Sequence, residues 1–197
     1  MKTAAIIALA GIASIASAQS AHVMLTHDQG DGEINIGESA VWTLSVAFTG
    51  GDTASGGNME ISGDNALGNS SSMTYTATNG GSNGGASNGA GIGFVNWTNS
   101  LFLEAFGGGA ADRTNPFVVG TFSFTGGAVG TLDYTFTLGE ATSAFASVAI
   151  SAFADFNMAD VGAAGLTITS DSLNIVPTPA SAALLGLGGL VAIRRRR

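Results

Sequence analysis

Short segments in which apolar and polar residues alternate run through the middle of the chain. Because successive side chains of a strand point to opposite faces, this alternation predicts strands that each bury one face. The clearest predicted strands cover residues 41–48, 72–78, 121–125, 131–138 and 166–172. Weaker alternation predicts strands at residues 92–97, 101–106 and 147–153, and the last of these also fits a short helix.

Glycines separate the predicted strands, at residues 50–51, 56–57 and 107–109. The pair Gly126-Gly127 lies between two predicted strands and indicates a hairpin or a pair of close neighbours. Eight or nine short amphipathic strands joined by glycine turns predict an all-β fold, an antiparallel β-sandwich of two stacked sheets. This pattern is similar to cohesin-like or carbohydrate-binding-module sandwiches, a likeness that concerns the fold alone.

Composition agrees with a single β-domain. The chain has 30 glycines in 197 residues and no cysteine, so such a domain would be stabilised by packing or bound ions rather than by disulfides. We recognise no repeat and no second domain, and residues 19–175 are predicted as one unit. Within it, residues 79–93 are rich in Gly, Asn and Ser and predict a flexible loop.

The first eighteen residues have the three parts of an export signal. Lys2 supplies the positive charge, residues 4–15 form a mostly apolar stretch, and Ala16-Ser17-Ala18 is an A-x-A cleavage site. We therefore expect a signal helix at residues 1–18 that directs the chain to the Sec translocon. Its removal would leave a mature chain that begins at Gln19.

Residues 176–197 form a second terminal signal. Fourteen mostly small and apolar residues, 180–193, precede four arginines: Arg194, Arg195, Arg196 and Arg197. Fourteen helical residues extend about 21 Å at ~1.5 Å each, less than the roughly 30 Å hydrocarbon core, and snorkelling arginines lengthen that reach. Because arginines stay on the cytoplasmic side, the segment predicts a membrane helix that holds the domain outside the inner membrane.

The sequence Val176-Pro177-Thr178-Pro179, followed by an apolar stretch and terminal arginines, resembles the PEP-CTERM sorting signal of Gram-negative bacteria. The resemblance implies recognition by an exosortase, a membrane-embedded cysteine-protease-like enzyme that removes the tail. It also implies passage to the cell surface or the extracellular matrix. The family pattern has Glu where this chain has Thr178. The two prolines fix φ and disfavour a helix, which keeps this segment extended as a protease cleft requires.

Charge narrows the choice of partners. Outside the terminal signals the only basic residue is Arg113, against all fourteen acidic residues, so the mature region carries a formal charge of about −13. Such a charge repels phosphate backbones and excludes nucleic acid. Asp28, Asp31 and Glu33 share one glycine-containing turn and are candidate calcium ligands, although a turn uses Asp and Gly in any case.

Candidate catalytic groups are few. Two G-x-S-x-G matches, around Ser82 and Ser87, lie in the Gly/Asn/Ser tract rather than between a strand and a helix. The histidines, His22 and His27, precede both serines, and their spacing does not suit a metal pair, so we expect them to be solvated. A glycoside hydrolase would need two carboxylates in a cleft, for which the pool is Glu60, Glu104, Asp133 and Glu140.

Aromatic residues offer one candidate for sugar binding. Trp42 and Tyr134 fall on the apolar faces of their predicted strands and are expected in the core. Trp97 lies between Asn96 and Thr98, beside the glycine-rich tract, and is the candidate for stacking on a sugar ring.

Taken together, these features predict a non-enzymatic, exported protein that is sorted through its C-terminus. Its expected path runs through a membrane-anchored intermediate to the cell surface or the biofilm matrix, where it has a structural or adhesive role. The alternatives are a carbohydrate-binding module that holds extracellular polysaccharide and, behind it, a glycoside hydrolase.

Overall fold

The structure, a computed structural model, describes residues 20–50, 53–76, 81–99, 101–138, 148–151, 154–156 and 165–178. The predicted export signal with Ala16 and Ala18, the carboxyl of Glu140, and all residues from Pro179 to Arg197 lie outside this part. The described strands, in chain order, are β1 (Ser20–His27), β2 (Glu33–Asn35), β3 (Ser39–Thr49), β4 (Gly56–Ser62), β5 (Gly68–Ser70), β6 (Thr74–Tyr75), β7 (Ser82–Gly84), β8 (Ile92–Thr98), β9 (Phe117–Gly126), β10 (Gly130–Leu132), β11 (Thr135–Leu138), β12 (Val148–Ser151), β13 (Ala154–Phe156), β14 (Leu166–Ser170) and β15 (Leu173–Val176). A short helix, α1 (Leu101–Ala105), follows β8.

These strands form three sheets. The front sheet has the order β14-β1-β3-β9-β5, and β6 also pairs with β9. The back sheet has the order β13-β12-β4-β8-β7, and β11 also pairs with β4. A third, three-stranded end sheet has the order β10-β15-β2.

Most strand pairs are antiparallel, as predicted, but two are parallel. In these two pairs β1 lies beside β14 and β2 lies beside β15. Parallel strands need a long crossover connection, and here nearly the whole domain separates the partners along the chain. The fold is therefore a mostly antiparallel β-sandwich in which the first two described strands pair with the last two.

One hydrophobic core contains the buried apolar residues of all three sheets. Its large, fully buried side chains include Trp42 and Phe124 from the front sheet and Met59, Ile61 and Trp97 from the back sheet. The end sheet adds Ile34, Leu132, Leu173 and Ile175. Successive residues of β3 alternate between buried and exposed over its first half, which is the alternation that the sequence predicts.

Several predicted strands are confirmed. Residues 41–48, 92–97 and 121–125 lie within β3, β8 and β9, and residues 166–170 of the predicted segment form β14. The segment 147–153 contains the strand β12 rather than a helix. Of the predicted strand 72–78, two residues form β6.

The prediction of a strand at residues 101–106 was wrong, because residues 101–105 form α1. Leucine, glutamate and alanine favour a helix, and the glycines that follow end it. Gly107 has a φ of +87°, and the N–H of Gly108 donates to the carbonyl of Leu103 at 2.7 Å. The run Leu-Phe-Leu has no alternation with polar residues, which was the missing signal.

The segment 131–138 was predicted as one strand, but it divides into β10 in the end sheet and β11 in the back sheet. The break falls at Asp133 and Tyr134, where the chain crosses from one sheet to the other. Leu132, Tyr134 and Leu138 are buried nevertheless, so the alternation was right while the strand was not continuous. Gly126-Gly127 forms no hairpin either, because β9 and β10 belong to different sheets.

Two glycine-rich segments that were predicted as turn or loop are strands. Gly56 and Gly57 begin β4, and residues 82–84 of the predicted flexible loop form β7, paired with β8. β7 has no large side chain and is built by backbone hydrogen bonds, so alternation did not reveal it. β4 carries Met59 and Ile61 on its buried face, but the glycine pair at its start was interpreted as a separator between strands. Such short and hidden elements explain why the described residues contain fifteen strands instead of the eight or nine predicted.

Candidate functional site

The tail begins where the end sheet stops. Val176 is the last residue of β15 and pairs with Asn35 of β2, and its carbonyl accepts a hydrogen bond of 3.0 Å from the N–H of Ile36. The sheet thus continues one residue past the predicted domain boundary at 175. Pro177 is exposed and Thr178 is half-buried. The first part of the predicted sorting motif therefore lies at the margin of the folded domain.

The remaining parts of the predicted sorting signal lie outside the described residues. These are Pro179, the apolar segment 180–193, and Arg194, Arg195, Arg196 and Arg197. The part of the chain that the structure describes holds no helix with the length and hydropathy of a membrane span.

Two of the carboxylates proposed as calcium ligands, those of Asp28 and Asp31, accept hydrogen bonds from backbone N–H groups. Oδ1 of Asp28 accepts hydrogen bonds from the N–H of Val41 at 2.9 Å and from Nε2 of Gln29 at 2.8 Å. The bond from the Val41 amide lowers the pKa of the Asp28 carboxyl, and the Gln29 amide adds to the effect. Oδ1 of Asp31 accepts from the N–H of Glu33 at 3.1 Å.

No group of three or more Asp, Glu or His side chains in the described residues could hold a metal ion. The assignment of Asp28, Asp31 and Glu33 to a calcium site is therefore corrected. The reason is local: an Asp that receives backbone N–H groups shapes a turn, and a sequence shows Asp in a turn without showing where its oxygens point.

The two histidines are half-buried, and each has hydrogen-bond partners within the fold. His22 is half-buried in β1, with Nε2 at 2.9 Å from the Oγ1 of Thr169. The ring of His27 packs edge-on against Trp42 with a centroid distance of 4.9 Å. Its Nδ1 accepts from the N–H of Gln29, so Nε2 carries the proton and donates to the carbonyl of Ser172 at 3.1 Å.

The candidate glycosidase carboxylates serve separate local contacts. Glu60 on β4 accepts a hydrogen bond of 3.1 Å from Nδ2 of Asn88. Glu104 on α1 accepts from the N–H of Ala111 at 2.9 Å and forms an ion pair of 3.0 Å with Arg113. These two contacts, the backbone one first, lower the pKa of Glu104.

The third described carboxylate of that pool, Asp133, accepts a hydrogen bond from the Ser172 hydroxyl between β10 and β11. The three carboxyl groups thus lie on β4, on α1 and in the bend between β10 and β11, each with its own partner. The serines of the G-x-S-x-G matches form no strained elbow either, since Ser82 lies in β7 and Ser87 bonds locally to Gly89.

Trp97 is a core residue and not a surface platform. It is 1% exposed, and its ring lies over the backbone of Gly57 on the neighbouring strand. Its polar neighbours Asn96 and Thr98 suggested a surface position for Trp97. On a strand, however, the residues beside an inward side chain point outward, so polar neighbours are compatible with burial. The same alternation identifies Phe94, 43% exposed, as the aromatic side chain on the outer face of the back sheet.

The outer face of the front sheet carries an ordered row of hydroxyls. Strand register aligns Thr26 of β1 with Thr43 of β3, Thr43 with Thr121 of β9, and Thr121 with Thr74 of β6. Directly paired residues point to the same side of a sheet, so these four threonines, named here the threonine row, share one face. This row could not be predicted, because the register between distant strands has no signal in a single sequence.

Neither a family of known sequences nor a curated protein matches the chain. Solved structures do resemble it. One is the cohesin complex of Acetivibrio cellulolyticus described as an N-terminal interface mutant of a type II cohesin–X-dockerin complex. It has a TM-score of 0.52 and 11% identity, and the match covers 80% of this chain and 100% of that chain.

Another is a type II cohesin domain from the cellulosome of Acetivibrio cellulolyticus. The TM-score is 0.50 and the identity 15%, over 79% of this chain and 95% of that chain. At such low identity the likeness shows the fold alone. The chain therefore has a cohesin-like β-sandwich, one of the two kinds of sandwich that the strand pattern resembled.

Proposed function

We propose that this chain is a non-enzymatic surface protein, exported through the Sec translocon and sorted by its C-terminal tail, with a structural or adhesive role. The observation that carries the proposal is the position of Val176 and Pro177. The last described strand, β15, ends at Val176, and the exposed Pro177, which has no N–H to donate, stands directly after it. The predicted sorting motif thus begins with the final residue of this strand.

That position suits a processing signal. An exosortase-type enzyme at the inner membrane has to reach an extended segment, and a segment inside a sheet would be unavailable to it. The apolar residues 180–193 and the four arginines follow in the sequence as the proposed insertion and retention elements. The protein would pass through this membrane-anchored intermediate and then reach the cell surface or the extracellular matrix.

A structural or adhesive role, rather than catalysis, is supported by the arrangement of the carboxylates. Glu60, Glu104 and Asp133 each serve a separate local contact, whereas a glycosidase mechanism needs two carboxylates that face one cleft. The cohesin-like fold is also that of a protein solved in a complex with an X-dockerin, which supports a role in holding a partner.

The test is to replace Arg194, Arg195, Arg196 and Arg197 together with glutamine and to follow surface protein by fractionation of cells. We expect the surface fraction to fall by about tenfold or more. Glutamine costs less free energy to move across the membrane than arginine does, so the variant tail would no longer be held on the cytoplasmic side for processing. Arg113→Gln is the matched control, since it removes an arginine from the folded domain and leaves the tail unchanged.

Equal surface amounts for the tail variant and the unchanged protein would refute the sorting role of the arginines. An equal loss in Arg113→Gln would also count against it, because the loss would then reflect folding of the domain. Thermal unfolding of both purified variants identifies that case, and we expect the tail variant to unfold at the same temperature as the unchanged protein.

A further inference from the structure

The threonine row on the front sheet is a regular array. Its four residues lie on four neighbouring strands that are about 4.8 Å apart, so the row is about 14 Å long. Thr26 and Thr74 at its ends are exposed, and Thr43 and Thr121 in its middle are half-buried. Each residue presents one methyl group and one hydroxyl on a β-sheet surface.

The hydroxyls of the row are available for a ligand. In the part of the chain that the structure describes, no side-chain hydrogen bond involves any of the four. Other hydroxyls of the front sheet are already paired, Ser39 with Thr125 and Ser20 with Thr49, both at 2.7 Å. A threonine hydroxyl both donates and accepts, so the free row can match a partner that does the same.

Charge separates this face from the rest of the domain. None of the six strands of the front sheet contains Asp, Glu, Lys or Arg, although the mature region carries fourteen acidic residues. The nearest carboxylate along β1, that of Asp28, is turned to the amide of Val41 at 2.9 Å. The strands of the front sheet thus form an uncharged surface on a strongly acidic body, and carboxylates lie only at its margin, where Oδ2 of Asp171 accepts a hydrogen bond of 3.4 Å from the N–H of His27.

This contrast selects a chemical class of partner. Polyanions are repelled by the domain as a whole, and cations are drawn to the carboxylates outside this face. A neutral polymer rich in hydroxyl groups is neither repelled by the domain nor drawn to the carboxylates outside this face. On binding, it exchanges hydrogen bonds with water for hydrogen bonds with the row. We propose that the threonine row binds an extended, uncharged polysaccharide that lies across the strands. This inference rests on the proposed role at the cell surface and names its partner.

The test is affinity electrophoresis of the protein purified from cells, in native gels that contain hydroxyethylcellulose, dextran or the anionic polymer alginate. We expect retardation by at least one of the two neutral polymers and none by alginate. Thr43→Val/Thr121→Val keeps the shape and strand preference of both residues and removes two hydroxyls. We expect its binding to be weaker by about tenfold or more.

The matched control is Thr98→Val/Thr137→Val, which removes two threonine hydroxyls from the back sheet and should leave retardation unchanged. If the double variant at positions 43 and 121 does not fold, Thr26→Val/Thr74→Val at the exposed ends of the row gives the same test. Phe94→Ala examines the opposite face, where an exposed aromatic side chain offers a different way to hold a sugar.

Three results would overturn the proposal: no retardation by either neutral polymer, full retardation of the row variants, or loss of binding in Phe94→Ala alone. A dimer in light scattering that disappears in the row variants would also overturn it and would identify a second copy of this chain as the occupant. Surface fractionation of the row variants keeps the two proposals apart, because sorting through the tail should proceed normally in cells that carry them.

Discussion

At residue scale, position 57 has room only for hydrogen. A Cβ built on Gly57 would lie 2.0 Å from the ring of Trp97, which is itself fully buried in the core. The glycine therefore lets the strands β4 and β8 pair while the ring of Trp97 lies over the backbone of Gly57. Packing of this kind leaves no slack for even one methyl group.

We expect Gly57→Ala to lower the free energy of unfolding by about 1–3 kcal/mol, because the added methyl overpacks the core. Urea denaturation measures the change. Gly30→Ala is the matched control: its Cβ would meet nothing within 4 Å, and we expect a change of less than about 0.5 kcal/mol. Equal stability of Gly57→Ala and the unchanged protein would contradict the contact with Trp97.

The same contact shows what a single sequence leaves open at this scale. The apolar character of Trp42 and its alternating neighbours predicted a core position, and the structure places it there. Trp97 has polar neighbours and glycines nearby, so it was misplaced on the surface. Only the pairing of Gly57 with Trp97 across two strands makes its burial evident, and that pairing joins residues forty positions apart.

At the scale of elements, the bend between β10 and β11 is held by Tyr134. Its hydroxyl donates to the carbonyl of Ala90 at 2.7 Å, and its ring packs edge-on against Trp42 with centroids 4.8 Å apart. Ser70 of β5 bonds to the same carbonyl, so the bend is connected to the front sheet and to the segment that leads into β8. Burial raises the pKa of the Tyr134 phenol above its usual value, and the Ser70 hydroxyl offsets part of the rise.

The raised pKa of the Tyr134 phenol makes the free energy of unfolding depend on pH in the alkaline range. Below about pH 10, the ordinary value, the phenol is protonated whether the chain is folded or not. Above it, the unfolded chain ionises first, so the free energy of unfolding falls as pH rises further. Lys2 is the only lysine and cysteine is absent, so tyrosine dominates titration of the domain in this range.

We therefore expect Tyr134→Phe to be less stable at pH 7 by about 1 kcal/mol, through loss of the bond to Ala90. It should also lose less stability between pH 9 and pH 11 than the unchanged protein does, over a range of about two units around the ordinary tyrosine pKa. Burial also raises the pKa of Tyr75, so Tyr75→Phe serves as the comparison. Identical alkaline slopes for Tyr134→Phe and the unchanged protein would exclude this coupling.

Element prediction succeeded where strands carry large side chains on one face and small polar ones on the other. β3, β9 and β8 have that pattern, and each was found. β7 has no large side chain and was missed because its place in the back sheet depends on backbone hydrogen bonds. β4 was missed although Met59 and Ile61 alternate with polar residues, because its first two residues are glycines and were interpreted as a separator. The bend at Asp133 was invisible for the opposite reason: alternation continues through it unchanged.

At the scale of the whole molecule, the sandwich class followed from the sequence, while the pairing of strands did not. The parallel pairs of β1 with β14 and β2 with β15 join the two ends of the domain, and the threonine row depends on register among four strands. Such long-range relations are set by the joint packing of all strands. The candidate sorting motif, in contrast, is local in sequence and could be recognised directly.

The two ends of the described domain lie close in sequence to the two predicted processing sites. β1 begins at Ser20, one residue after the expected cleavage site, and β15 ends at Val176, one residue before the Pro-Thr-Pro prolines. The folded domain thus fills the interval between the two predicted processing sites. Removal of either signal would therefore leave all the described strands in the chain.

The most direct measurement is the intact mass of the native protein recovered from the cell surface or medium. The account predicts a species that begins at Gln19 and ends close to Pro179, without the apolar segment 180–193 and the four arginines. A single species that retains every residue from Met1 to Arg197 would contradict both the export signal and the sorting tail.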